Sequence, residues 1–163
     1  AVAPGPVLAG ELAAFLEGGC ALIVGTVGTD GAPHAGRGWG LEVIDGPSGR
    51  IRLLLDAADT ATLANLDGDA TVAVTGADVR TLHSRQLKGR ALGTEPASGA
   101  DRARAARFCD AMFADIEATD RQPRDLLDQI VPAAYVAVTV AVDAVYDQTP
   151  GPGAGAVIPE GAA

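Results

Sequence analysis

Residues 21–40 read ALIVGTVGTDGAPHAGRGWG, and this stretch decides the fold class. An apolar run from Ala21 to Val27 meets a turn cluster, Thr29-Asp30-Gly31-Ala32-Pro33. Two β-prone runs separated by such a cluster read as a hairpin. The second run carries Gly36, Gly38 and Gly40 at alternate positions. Strand side chains alternate between faces, so Arg37, Trp39 and Leu41 are expected on one side and bare backbone on the other. Glycine weakens a strand, so three at period two require close approach of a ligand, another chain segment or a tightly coiled barrel corner.

The pattern continues outward from this hairpin. Residues Val7 to Leu16 have helical apolar spacing and end at Gly18-Gly19. A strand is expected at Arg50 to Asp56, followed by a short helix over Asp59 to Leu66 that Asp59 or Thr60 can cap. Strands follow at Ala70 to Thr75 and Thr81 to Leu92. Neither face of the latter is cleanly apolar, since Ser84, Gln86, Lys88 and Arg90 share one side, so a bulge is expected there. Ser98 to Ala118 is the strongest helix, with Phe108, Met112 and Ile116 on one face and Arg102, Arg104 and Arg107 on a solvated one. A short helix at Arg124 to Ile130 and a β-branched strand at Tyr135 to Tyr146 complete the core. Short connections between most strands favour a mainly β antiparallel barrel with peripheral helices over an alternating βαβ sheet. One domain is expected over residues 1–147, with a loose arm at Ala1 to Pro6 and a Gly/Pro-rich tail over 148–163.

Composition narrows the function classes. The net charge of −9 disfavours nucleic acid and anionic membrane partners. No apolar run is long enough to span a bilayer, and no basic region precedes an apolar one at the start. Cys20 and Cys109 sit among apolar residues and read as buried free thiols, which suits a cytoplasmic protein. Neither cysteine has a metal-ligand spacing to His34 or His83. P-loop, nucleophile-elbow and zincin motifs are absent, so no side-chain acid–base or nucleophilic constellation is expected.

Four segments, ALIVGTVGTDGAPHAGR (21–37), RIRLLLDAADTATLANL (50–66), ATVAVT (70–75) and HSRQLKGRA (83–91), resemble in order and spacing the pyridoxamine 5′-phosphate oxidase-like FMN-binding split-barrel family. The tail YDQTPGPGAG (146–155) is similar to those of an uncharacterised branch. The resemblance implies a six-stranded antiparallel split barrel, a homodimer with the cofactor at the subunit interface, and FMN-dependent oxidoreduction of a small-molecule substrate. It implies a phosphate contact for Arg37, a place under the flavin ring for Leu54 and Leu55, phosphate contacts for Thr60 and Thr62, and a flavin contact from the partner side for Gln86. Trp39 and Lys88 join this cofactor-binding set, Lys88 as a substitute phosphate cation. The departures are specific. Glu42 stands where authentic oxidases carry a lysine, and Ala61 and Thr62 stand where they carry an Arg-Lys pair. The C-terminal Trp and Arg that grip pyridoxal phosphate have no counterpart. Loss of these cations leaves deazaflavin or haem as alternative cofactors, and a non-catalytic binding protein as the alternative function.

Overall fold

The computed structural model describes residues 6–159; the loose arm expected at residues 1–6 lies, but for Pro6, outside them. Six strands close into one antiparallel barrel. They are β1 (Ala21–Val27), β2 (Pro33–Asp45), β3 (Arg50–Asp56), β4 (Thr71–Ala77), β5 (Ser84–Pro96) and β6 (Tyr135–Asp147), arranged around the barrel as β1-β2-β3-β6-β5-β4. Helix α1 (Gly10–Glu17) and α2 (Thr60–Gly68) sit at the barrel, and α3 (Gly99–Asp120) with α4 (Arg124–Asp128) cover the β2 side. The mainly β, split-barrel expectation is thus met, with the four helices peripheral.

Alternation builds the interior. Leu22, Val24, Leu53, Leu55, Val72, Val74, Leu87 and Val138 form one buried cluster, sealed by Leu12 and Leu16 of α1 and by Leu8 just before it. A second cluster joins Trp39 to Cys109, Met112, Phe113 and Leu127 under α3 and α4. Ser98 and Asp101 cap α3 reciprocally, and Asp101 is itself buried against Arg52 of β3, with two bonds of 2.7 Å.

The glycine-alternate strand departs from its sequence expectation at one point. Gly38 pairs with Leu55 but Gly40 pairs with Leu54, so a bulge absorbs one residue. Arg37 and Trp39 do share the outer face, the guanidinium lying 5.7 Å from the indole centroid. Leu41 does not join them; the bulge turns it into the barrel, where it is fully buried. The crowding at the three glycines comes from the protein itself. Side chains at these positions would meet Asp59 and Thr62 of the α2 end at Gly36, Leu22 and Leu53 inside the barrel at Gly38, and Leu54 and Ala105 beneath α3 at Gly40.

The polar fifth strand carries its expected irregularities, between Lys88 and Gly89 and between Ala91 and Gly93. The C-terminal segment doubles back. Strand β3 covers β6 only from Tyr135 to Ala141, and the tail returns along the last residues of β6, with Asp147 N donating to Ala156 O and Ile158 N to Val145 O.

Candidate functional site

The barrel register sets an outer face row by row. Arg37, Ile23, Thr75, Gln86 and Tyr146 lie side by side across β2, β1, β4, β5 and β6. The next row is Ala35, Gly25, Ala73, Lys88 and Ala144, and the next brings Pro33, Val27, Thr71 and Arg90 together. Because the middle row is nearly bare of side chain, a groove of about 440 Å³ opens over Gly25 and Ala73. Its walls include Val27, His34, Lys88, Arg90 and Asp143. Arg37 and Gln86 stand three strands apart around the closed barrel, and neither lines the groove.

Cations collect on this face although the chain is acidic. Arg37, Lys88 and Arg90 are exposed, and among the described residues none of them is paired with a carboxylate. The Lys88 ammonium lies 4.6 Å from the Tyr146 centroid. The Arg90 guanidinium is tethered, donating to Asp69 O at 2.9 Å. Gln86 is locked by two neighbours: its Nε2 donates to Thr75 Oγ1 at 2.9 Å, and its Oε1 accepts from Gln148 Nε2 at 3.4 Å.

Solved structures share this architecture. The chain is similar to HupZ of Group A Streptococcus (14% identity over 91% of this chain and 98% of that one, TM-score 0.56). It is also similar to a protein named for pyridoxamine 5′-phosphate oxidase from Lactobacillus delbrueckii (16% identity, 85% and 93% covered, TM-score 0.51). The chain has the split-barrel fold of the pyridoxamine 5′-phosphate oxidase-like proteins. An F420 reductase shares the split barrel as well (15% identity, 84% and 97% covered, TM-score 0.51). No family model and no curated protein sequence matches the chain.

Within this split barrel the residues singled out from the sequence separate into four groups. Arg37, Gln86 and Lys88 lie on the outer face, and of the three Lys88 lines the groove. Trp39 starts from the same face but is covered by α3 and α4, so its ring offers little surface beyond the edge that Arg37 meets. Leu54 and Leu55 are fully buried, Leu54 beneath Ala105 and Leu55 inside the barrel, so neither side chain reaches the groove. Thr60 and Thr62 sit at the N-terminal end of α2, where Thr60 is exposed and Thr62 fully buried.

That end of α2 is closed on itself. The amides of Ala57, Ala58, Asp59, Thr60, Thr62 and Leu63 are all hydrogen-bonded within the chain. Two of those bonds go to carboxylates, Ala58 N to Asp56 and Thr62 N to Asp59. The Thr62 hydroxyl is buried without a partner, in the notch left by the missing side chain of Gly36. Glu42, at the place of a family lysine, is engaged with Arg104 at 2.6 Å. As arranged, the α2 end does not fit a phosphate dianion, which would face two carboxylates and find every amide of residues 57–63 but that of Ala61 taken. The groove is different: a flat floor of small residues with cations at its margins fits a planar anionic molecule.

Sequence reasoning did not single out Arg90, Gly25, Ala73, Tyr146 or Gln148. The signal for Arg90 is the Gln86-Lys88-Arg90 alternation, which marks one face of β5. Gly25 and Ala73 become a floor only once β1 and β4 are paired.

Proposed function

We propose that this split barrel binds a flat, anionic redox cofactor of the flavin class in the outer-face groove, with a second copy of the chain closing it, and works as an oxidoreductase on a small molecule. The observation that carries this reading is the bare row Ala35–Gly25–Ala73, bounded on β5 by Lys88 and Arg90, which line the groove. The cofactor, FMN or a deazaflavin, supplies hydride transfer when bound. The chain's own groups hold and orient: Arg37 and Lys88 attract negative charge, and Gln86, fixed by Thr75 and Gln148, presents a rigid amide. Burial of exposed Ile23 against a second copy would keep water from the floor.

A second reading is a carrier or sensor of such a molecule or of haem, favoured by the closed end of α2, where Ala61 and Thr62 stand in place of the family's Arg-Lys pair.

Titration of the purified protein with FMN, followed by flavin absorbance and fluorescence, tests the reading. Gly25→Leu is the informative variant, because a side chain there meets nothing of the protein closer than 3.7 Å and would fill the groove without disturbing the barrel. Binding in the wild type that is lost in Gly25→Leu, with an unchanged melting temperature, supports the groove. FMN affinity equal in both proteins would place any flavin elsewhere. A Soret band in place of a flavin band would favour the second reading.

A further inference from the structure

We propose that the anionic arm of the ligand is held by Lys88 and Arg90 on β5, and not at the N-terminus of α2. The inference rests on the groove reading above and assigns its ligand a phosphate arm lying toward the β4–β5 margin. Residues two apart on one strand face the same way and stand ~6.8 Å apart, a span that two long cationic side chains close around one phosphate. Arg90 is pre-positioned. It spends one donor on Asp69 O and one on Thr71 Oγ1, and a guanidinium has five. Lys88 lines the groove and rests its ammonium 4.6 Å from the Tyr146 centroid, within a side-chain rotation of Arg90. Both line the groove, whereas Thr62 is sealed against Gly36 and, of the neighbouring amides, all but that of Ala61 are spent. Asp143 lines the same groove, and its carboxylate opposes the two cations.

The test compares FMN with riboflavin, which lacks the phosphate. In the wild type FMN should bind more tightly. Lys88→Ala and Arg90→Ala should each weaken FMN by about tenfold, the scale of one charge-assisted hydrogen bond, and leave riboflavin unchanged. Asp143→Asn should tighten FMN several-fold, and Thr60→Ala should leave the FMN-to-riboflavin ratio as it is. Equal affinity of the wild type for both flavins would overturn the proposal, as would a ratio that falls in Thr60→Ala and holds in the β5 variants. If neither flavin binds, the flavin reading fails and inorganic pyrophosphate decides the subsite by itself. Its titration followed by amide NMR should shift residues 71–73 and 88–90; shifts at residues 59–62, or none, would overturn it.

Discussion

Alanine at position 36 tests how α2 closes the barrel. Gly36 shares the inward face of Val24 on the neighbouring strand. A methyl group there would overlap Thr62 Oγ1 and come to 2.5 Å from Asp59 Oδ2. Carbon–oxygen contacts settle near ~3.3 Å, so α2 or the Asp59 side chain must give way by roughly 0.8 Å. Overpacking of this kind costs about 1–3 kcal/mol. Asp59 also caps α2 through Thr62 N at 3.1 Å, and loss of such a cap adds about 0.5–2 kcal/mol. The expected total of about 2–4 kcal/mol corresponds to a fall of roughly 5–15 °C in Tm for a domain of this size. Thermal melts by circular dichroism measure it. Thr62→Ala removes one of the two obstacles, so Gly36→Ala should cost less in that background, with a coupling of about 1–2 kcal/mol in the double-mutant cycle. A Gly36→Ala protein melting within about 2 °C of the wild type, or strictly additive variants, would refute the packing of α2 described here.

Three further outcomes are expected. The Arg52 guanidinium holds the buried Asp101 carboxyl well below the usual carboxylate range, with help from Ser98. Its stabilising contribution is therefore complete above the unfolded value near ~3.9 and is lost progressively as pH falls below it. Asp101→Asn should cost about 3 kcal/mol at pH 7 and flatten the dependence of Tm on pH between about 5 and 3. Burial pushes the Cys20 thiol up to about 12 and the Cys109 thiol to about 11, so native protein should leave a thiol-specific chromogenic disulfide unreacted at pH 8, and denaturant should release two equivalents; rapid reaction of the folded protein would contradict this burial. Gln148→Ala frees the Gln86 amide and should weaken FMN by a few-fold with an unchanged Tm, the size of one neutral hydrogen bond; an unchanged flavin titration would remove the tail from the site.

Much of the barrel is legible in the chain because its signals are local. The Asp45-Gly46-Pro47-Ser48-Gly49 turn, the Asp59 cap and the Ser98 capping box all act within a few residues, and each forms where its pattern stands. Long-range effects are not legible in the same way. Nothing between Gly38 and Gly40 announces which residue the bulge absorbs, since that is set by leucines of β3 and by Ala105 of α3. Strand β5 runs on to Pro96, past its expected end at Leu92, because β6 continues to pair with it there. The tail, rich in Gly and Pro, looks unstructured until the uncovered end of β6 offers it a partner. At the candidate site the cations are visible in the sequence, but the bare floor between them appears only when four strands come into register. The burial of Thr62 depends likewise on a notch that β2 supplies.

The bulge in β2 lets one strand serve two masters. Before it, outward positions such as Arg37 belong to the groove; after it, the outward position Gly40 belongs to the seat of α3. The two halves can therefore drift separately. Substitutions at the outward positions Pro33, Ala35 and Arg37 can retune which molecule the groove accepts while the helical buttress stays docked, and repacking under α3 can harden the scaffold without touching ligand choice. Removing the one extra residue at the junction would straighten the ladder, since Gly38 already pairs with Leu55 and Gly40 with Leu54, and would take Trp39 from the seat of α3 and α4 while leaving the facing of the second half as it is.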